Sequence, residues 1–249
     1  MFATKIHIKI NEPEREYAQA VSLEHRKKFA QFFTPFPVAE FMSKWILGNK
    51  NLNTVLDPAF GLGIFARTIR KANKDCVIKG FDIDETILNE AIELFEDDAN
   101  TMLFLKDYMF NDWGNRYDGI ICNPPYFKLS ESSFTNELDA FAIARHEIHL
   151  TLDQLMKQTS HLLKMKGKAY FVHRPDRLME ILETMRNNRI APKKLQFIYP
   201  KQNKEANMIL IEGIKDGKED GFRVLPPLVV YNEEGEYSQK VKDVLYGEQ

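Results

Sequence analysis

A four-residue segment near the middle of the chain, Asn123-Pro124-Pro125-Tyr126, has the composition of a site for a planar amine. Its two consecutive prolines remove two backbone donors and stiffen the turn. The side-chain oxygen of Asn123 and the carbonyl oxygen of Pro124 are acceptors, and together they accept both hydrogens of an amine bonded to an sp2 carbon. This interaction localises the nitrogen lone pair, so the segment predicts attack of an amine on a methyl donor, with Tyr126 stacking on a flipped base.

Three acids stand at the ends of the first three predicted strands, Asp57, Asp82 and Asp107. Ligands of open α/β sheets bind outside the carboxyl ends of the strands, so the three acids are expected along one edge. The first suits a cationic group such as the ammonium of S-adenosylmethionine (SAM). The second suits a ribose diol, and the third suits the exocyclic amine of the cofactor adenine.

A glycine-containing turn, Gly61-Leu62-Gly63, follows the first of these acids. Its glycines let the backbone approach a ligand closely, and the N-terminus of the helix behind them favours an anionic group. The turn is neither the GxGxxG dinucleotide fingerprint nor a P-loop, because no Gly-Lys-Ser/Thr follows. Asp84 is the alternative to Asp82 for the ribose, although its position before Glu85 favours a role as helix cap.

Strands and helices alternate along the chain, and this alternation must position those residues. It predicts an α/β fold built on one Rossmann-like, mostly parallel sheet of seven strands, with helices on both faces and the last strand antiparallel. Thr34 and Pro35 are predicted as the N-cap and first residue of the helix that leads into this sheet. The predicted strands are 54–56, 77–81, 101–105, 117–122, 168–173, 194–199 and 207–212. The predicted helices are 14–29, 38–47, 64–72, 85–96, 147–164 and 176–187, with a loop over 127–144.

Composition limits the class of protein. The 249 residues are 44% hydrophobic and include no apolar run near the ~20 residues that span a bilayer. We expect one domain over 31–249 with an N-terminal appendage over 1–30, working as a monomer. Two cysteines without a CxxC motif, and six histidines without metal-ligand spacing, predict no disulfide, no metal and a cytoplasmic location. A net charge of −2 means that nucleic-acid binding requires a local basic patch.

Taken together, the glycine turn, the three acids and the Asn-Pro-Pro-Tyr segment resemble the class I SAM-dependent amino-methyltransferases with an Asn/Asp-Pro-Pro-Tyr/Phe motif, over roughly 31–126. The resemblance implies that the glycine turn binds SAM, with acids on its ribose and adenine. It also implies that the Asn-Pro-Pro-aromatic turn holds the target nitrogen. The catalytic residues that it implies are Asn123, Pro124, Pro125 and Tyr126.

Two groups within that family, which act on different substrates, each resemble a part of this chain. The segment Gln31-Phe32-Phe33-Thr34-Pro35 resembles the N6-adenine DNA methyltransferases of restriction-modification systems, in which a Phe-Thr-Pro segment closes over the methionine end of SAM. This resemblance adds two residues to the cofactor site. The cofactor-binding residues predicted in total are Phe33, Thr34, Asp57, Pro58, Ala59, Gly61, Gly63, Asp82, Ile83, Asp107 and Asn123.

Residues 120–249 are instead similar to bacterial N6-methyltransferases that modify the adenosine 3′ of the anticodon in a valine tRNA. The similarity includes His173-Arg174-Pro175-Asp176 and Pro226-Pro227-Leu228. Those enzymes usually carry a different glycine turn, Asp-Leu-Gly-x-Gly-x-Gly, so this chain combines features of both groups. Residues 161–223 contain fourteen Lys and Arg against eight Asp and Glu. Phosphate contacts are predicted for Lys128, Arg145, Arg174, Arg177, Lys193, Lys194, Lys201 and Lys204.

The length of chain that follows the Asn-Pro-Pro-Tyr segment also helps to choose between RNA and DNA as substrate. About 120 residues follow the Asn-Pro-Pro-Tyr segment, and the predicted strands and helices use nearly all of them, which leaves little for a separate domain that reads base edges in DNA. RNA recognition by shape needs only a local surface. The prediction is therefore methylation of adenine N6 in RNA, in a tRNA anticodon loop, with DNA as the alternative. Glutamine N5 of a protein is a further alternative, as is a non-catalytic RNA-binding module, against which the intact acids and glycines argue.

Overall fold

A computed structural model of the chain describes residues 12–107, 114, 116–124 and 151–247. Within those residues the chain forms one sheet with helices around it. The strands are β1 (Thr54–Asp57), β2 (Val77–Asp82), β3 (Thr101–Leu105), β4 (Tyr117–Cys122), β5 (Leu163–His173), β6 (Ile190–Tyr199), β7 (Met208–Lys215), β8 (Arg223–Val224) and β9 (Leu228–Val229). The helices are α1 (Glu12–Ala20), α2 (Leu23–Lys28), α3 (Phe36–Leu47), α4 (Ile64–Arg70), α5 (Glu85–Leu94), α6 (Leu152–Leu162), α7 (Leu178–Asn187) and α8 (Gln239–Tyr246).

The sheet has the strand order β3-β2-β1-β4-β5-β7-β6-β8, with β9 also paired to β6. Strands β3, β2, β1, β4 and β5 are parallel to one another. Strand β7 lies antiparallel between β5 and β6. The predicted seven-stranded sheet with an antiparallel last strand is confirmed. The structure adds two strands of two residues each, β8 and β9, which were not among the predicted strands.

Helices cover both faces of the sheet, as predicted. On one face, α3 and α4 bury Phe36, Met42, Ile46 and Ile69 against the strands, and α8 adds Val241. On the other face, α6 and α7 form a second cluster with the sheet. Neighbouring residues of β4 belong to opposite clusters, because successive side chains of a strand point to opposite faces. No helix in the described ranges is long and apolar enough to cross a membrane.

The predicted N-cap at Thr34 is wrong. Helix α3 begins at Phe36, and its N-cap residue is Pro35. A cap side chain accepts from the N–H group two or three residues further on, and Pro37, three residues after Thr34, has no N–H to donate. The Thr34 hydroxyl is therefore free for a long-range contact, which is described below.

Other boundaries also differ from the sequence prediction. The predicted helix over 14–29 is two helices, since Ser22 accepts a hydrogen bond from the His25 N–H at 3.2 Å and caps the second. Residues Pro175–Arg177 form a 3-10 turn before α7. Helix α8, which Ser238 caps, was not predicted. The predicted loop over 127–144 and the first residues of the predicted helix over 147–164 lie outside the described residues.

Candidate active site

The glycine turn joins β1 to α4, and its conformation requires glycine. Gly61 and Gly63 have φ values of 54° and 70°, in the left-handed region that side chains disfavour. A Cβ at Gly63 would also lie 2.5 Å from the Phe95 ring. Asp82, at the end of β2, holds the turn: its Oδ2 accepts from the Gly61 N–H at 2.9 Å and its Oδ1 accepts from the Asp84 N–H at 3.0 Å. The acid predicted for the ribose thus lies directly against the glycine turn.

Asp57, the acid predicted for the ammonium, is buried at the end of β1 with 1% of its surface exposed. Its Oδ1 accepts from the Ala59 N–H at 3.2 Å. Its Oδ2 is buried and accepts no hydrogen bond from the residues that the structure describes. Burial, with a smaller contribution from the nearby Asp82 carboxylate, raises the pKa of Asp57 to about 8. An unsatisfied buried carboxylate oxygen fits a cationic ligand such as the SAM ammonium.

A small open pocket lies beside this turn and unites predicted residues from three separate segments. Phe33 and Thr34 line it from the segment before α3, Ala59 and Gly61 from the turn, and Asn123 from the end of β4. The other lining residues are Glu14, Phe32, Phe60, Leu62, Ile64 and Phe65. Glycine backbone, apolar side chains and an adjacent buried acid fit the amino-acid end of SAM, so the turn residues Ala59 and Gly61, together with Asp57, are the ones that would hold it.

The side chain of Asn123 is held in one orientation by the segment before α3. Its Nδ2 donates to the Phe32 carbonyl oxygen at 3.0 Å and to the Thr34 Oγ1 at 2.9 Å. A carbonyl oxygen only accepts, so the amide nitrogen must face Phe32 and the amide oxygen Oδ1 must face away from it. Pro124, the next residue, is buried. This orientation of the amide is compatible with the acceptor role that the sequence predicts for Asn123, which stays a prediction.

Asp84 has the capping role that its position favoured. It accepts from the Thr86 N–H at 3.1 Å at the start of α5. Its Oδ2 also contacts His25 Nε2 at 2.7 Å and Gln31 Nε2 at 2.6 Å, with the Tyr17 hydroxyl at 3.3 Å. These contacts occupy the carboxylate, so the ribose prediction stays with Asp82.

The other predicted cofactor residues differ in exposure. Pro58 is buried in the turn, Ile83 is 47% exposed beside Asp82, and Asp107 is half-buried just past β3. The structure thus places the second and third acids after adjacent strands of the sheet. Pro125, Tyr126, Lys128 and Arg145 lie outside the described residues, and their predicted roles stay predictions.

Three of the cations predicted to contact phosphate are part-buried and have partners within the protein, whereas the longer contacts of Arg174 with Asp176 at 3.8 Å and of Lys201 with the Glu233 carbonyl oxygen at 3.4 Å leave those side chains exposed. Lys193 donates to the carbonyl oxygens of Lys218 and Asp220. Lys194 forms an ion pair with the buried Glu212 at 3.0 Å. Arg177 donates to both carboxylate oxygens of Glu180, at 2.9 and 2.6 Å, and in this way anchors the start of α7.

The remaining described cations of that set face solvent. Arg174 follows β5 and its side chain is 62% exposed, while Lys201 and Lys204 are exposed in the loop after β6. Strand β5 is parallel to β4. Strands β5 and β6 are both antiparallel to β7, so β6 also runs in the same direction as β4. Arg174, Lys201 and Lys204 therefore lie at the same carboxyl edge of the sheet as Asn123.

Two residues with potentially reactive side chains near the ends of β4 and β5 are buried in the protein. His173 is fully buried, its Nδ1 accepts from the Arg174 N–H at 2.8 Å, and burial lowers its pKa to about 4. Cys122 is buried on β4, and burial raises the pKa of its thiol. Among the described residues, no group of three His, Cys, Asp or Glu side chains is arranged to hold a metal ion.

Comparison with known proteins identifies the family. The model of the methyltransferase small domain family matches residues 42–197. The chain is 59% identical over 138 residues to the type II methyltransferase M.AccI of Acinetobacter calcoaceticus, covering 55% of this chain and 26% of that protein. It is 27% identical over 161 residues to the tRNA1(Val) (adenine(37)-N6)-methyltransferase of Aliivibrio salmonicida, covering 64% and 68%. The chain thus spans about a quarter of the length of the first of these relatives.

Solved structures support the same fold. A predicted O-methyltransferase of Agrobacterium tumefaciens, Atu636, matches with a TM-score of 0.65 at 15% identity, covering 84% of this chain and 95% of that one. The magnesium protoporphyrin IX methyltransferase of Synechocystis, solved with bound SAM, matches with a TM-score of 0.52 at 14% identity, covering 83% and 97%. The architecture is that of the class I SAM-dependent methyltransferases. The chain belongs to the methyltransferase small domain family.

Proposed function

We propose that the protein transfers a methyl group from SAM to the N6 amine of an adenine in a nucleic acid. The observation that carries the proposal is the fixed amide of Asn123 at the rim of the cofactor pocket. An amine whose lone pair is delocalised into a ring needs acceptors for its hydrogens, and Asn123 Oδ1 is oriented to be one. The Pro124 carbonyl is the second acceptor in this proposal.

Each residue has a defined task in this mechanism. Asp57 accepts a hydrogen bond from the SAM ammonium, Asp82 from its ribose and Asp107 from its adenine. When bound, SAM supplies an electrophilic methyl group. Asn123 and Pro124 accept the two hydrogens of the target amine and direct its lone pair toward the pocket. The amine nitrogen becomes cationic as it is methylated, so its proton then leaves readily to water and no general base is needed before attack.

Transfer RNA is the first candidate substrate. The match to the tRNA1(Val) (adenine(37)-N6)-methyltransferase covers similar shares of the two chains, 64% and 68%. The exposed cations Arg174, Lys201 and Lys204 lie at the edge of the sheet where Asn123 follows β4, and this position supports phosphate contacts around a splayed loop base.

DNA is the second candidate, because one observation favours it. The 59% identity to a type II methyltransferase is far higher than the identity to the tRNA enzyme, although it covers 26% of that relative. The segment Phe32-Phe33-Thr34, which resembles the DNA enzymes, is also the segment that holds Asn123.

The test is a transfer assay with radiolabelled SAM and separate pools of unmodified tRNA, duplex DNA, ribosomal RNA and protein. Label in tRNA supports the first candidate, and label in duplex DNA supports the second. Label in protein alone would overturn the proposal and favour methylation of glutamine N5 of a protein at the same Asn-Pro-Pro turn.

We predict that exposed cations at the carboxyl edge set the salt dependence of nucleic-acid binding. The double variant Lys201→Gln/Lys204→Gln should lower the slope of log K against log salt by about 1.4 to 1.8, since each lost phosphate contact removes ~0.7–0.9. The matched control is Lys74→Gln/Lys218→Gln, whose exposed lysines lie before β2 and after β7, at the opposite edge. Filter-binding titrations that show equal slopes for the two double variants would contradict the prediction.

We also predict that Thr34 acts by positioning Asn123. Thr34→Val keeps the shape of the side chain but removes the acceptor for Asn123 Nδ2. Loss of one neutral hydrogen bond is worth ~0.5–1.5 kcal/mol, so kcat should fall about two- to tenfold. Calorimetric SAM affinity should stay unchanged, and Thr34→Ser should restore turnover. A loss of SAM affinity with unchanged kcat would instead assign Thr34 to the cofactor.

A further inference from the structure

Helix α1, which lies before the residues that the family model matches, packs on the cofactor side of the sheet. Tyr17 of this helix is 4% exposed and forms a small cluster with Leu62 of the glycine turn and Ile87 of α5. Its ring also meets the Phe33 ring edge-on, with centroids 6.0 Å apart. The helix therefore contacts two of the three chain segments that form the pocket, the segment before α3 and the glycine turn.

Glu14 on this helix is a buried acid that the mechanism above does not use. It is 8% exposed and lines the same pocket as Thr34, Gly61 and Asn123. Its Oε1 accepts a hydrogen bond from Arg67, which lies one turn inside α4. No donor among the described residues reaches its Oε2, which is also buried.

A buried carboxylate oxygen without a donor costs free energy, and this cost falls when a cationic donor arrives. Burial raises the pKa of the Glu14 carboxyl, and the Arg67 guanidinium opposes that shift, so the acid already has one partner that favours its charged form. The amino-acid end of SAM carries an ammonium with three N–H donors. Asp57 offers one acceptor at the end of β1, which leaves two donors of the ammonium for other acceptors.

We propose that Glu14 is a further cofactor-binding residue, whose Oε2 accepts a hydrogen bond from the SAM ammonium and so joins α1 to the cofactor site. The proposal rests on the SAM site described above and does not depend on the identity of the methyl acceptor. The Glu14–Arg67 ion pair then has two functions. It docks the N-terminal helix on α4, and it presents a carboxylate oxygen to the pocket.

The test compares two ligands that differ at the amino-acid end. S-adenosylhomocysteine carries the ammonium, while 5′-methylthioadenosine lacks the whole amino-acid end and keeps the nucleoside and sulfur. For Glu14→Gln, the affinity for S-adenosylhomocysteine should fall about ten- to a hundredfold, as for loss of a hydrogen bond to a charged group, whereas that for 5′-methylthioadenosine stays within about twofold. The control Tyr17→Phe lies on the same helix and removes only the hydroxyl, which contacts Asp84 and Gln31. It should leave the ratio of the two affinities unchanged.

Two calorimetric results would overturn the proposal. One is an unchanged affinity of Glu14→Gln for S-adenosylhomocysteine, and the other is an equal loss for both ligands, which is the signature of a purely structural ion pair. If the wild-type protein bound neither ligand, this result would contradict both the assignment of the cofactor site and the role proposed for Glu14. If both ligands behaved as expected but no nucleic acid were methylated, the proposed function would fail and this proposal would stand.

A measurement on the wild-type protein keeps the proposal testable if Glu14→Gln does not fold. Amide hydrogen exchange in Glu12–Ala20 should slow when S-adenosylhomocysteine binds and should change little with 5′-methylthioadenosine, because only the first ligand bonds to Glu14. Equal protection of this helix by both ligands would contradict the proposed contact.

Discussion

Replacing Asn123 by alanine should lower kcat by about 10²–10³ while the affinity for S-adenosylhomocysteine stays near that of wild type. The reason is that the hydrogen bond from the target amine to Asn123 Oδ1 strengthens as the nitrogen becomes cationic. Such an interaction stabilises the transition state more than the ground state, so its loss appears in kcat. Single-turnover transfer assays and calorimetry on the same preparation measure both quantities.

The control for this variant is Thr34→Val, which removes a neighbouring hydrogen bond but keeps the acceptor itself. Its smaller loss of kcat separates the acceptor role of Asn123 from a general loosening of the pocket. If folded Asn123→Ala retained turnover close to that of wild type, the assignment of this turn as the amine site would be wrong.

Replacing Asp57 by asparagine should weaken SAM binding about ten- to a hundredfold, since a buried hydrogen bond between charged groups is lost. The same variant should have a distinctive effect on stability. Burial raises the pKa of Asp57 to about 8, so the cofactor-free folded protein retains a proton that the unfolded chain has already released. Stability from this group therefore declines as pH rises from the ordinary pKa of aspartate toward about 8.

Asparagine has no proton to lose and keeps the acceptor for the Ala59 N–H. The melting temperature of Asp57→Asn, relative to wild type, should thus be higher at pH about 9 than at pH about 6, measured without cofactor. The difference between the two proteins removes the contribution of titrating groups that do not interact with Asp57. A pH-independent difference, or unchanged SAM affinity, would contradict the role assigned to Asp57.

The sheet could be predicted from sequence because its strands are short apolar runs, each followed by an acid or a turn. The bounds of β3 and β4 match the prediction residue for residue. The prediction of Thr34 as a helix cap was wrong because it used only the residue type, Thr before Pro, and did not consider that Pro37, three residues later, has no N–H to donate. Helix α8 was missed because it buries little apolar surface, with Val241 as its one fully buried residue among those described.

For the candidate site, too, the local sequence predicts single residues but not their long-range contacts. Motif residues such as Asp57 and Asn123 were predicted because their types and strand-end positions suggest chemistry. Their partners were not: Asn123 is 89 residues from Thr34, and Glu14 is 53 residues from Arg67, so nothing local to either sequence segment connects them. Lys193 and Lys194 were predicted as phosphate contacts from charge alone, whereas the fold gives each of them an acceptor of its own.

The central proposal is that the protein methylates an exocyclic adenine amine that is bound at the turn of Asn123. The position of the new methyl group on the nucleic acid tests this proposal most directly. Nucleic acid incubated with the protein and SAM carrying a deuterated methyl group would be digested to nucleosides and analysed by mass spectrometry. The account predicts that the deuterated methyl appears in N6-methyladenine, and that Asn123→Ala yields only traces. Label in N1-methyladenine or 5-methylcytosine, or no label in any nucleic acid while SAM still binds, would contradict it.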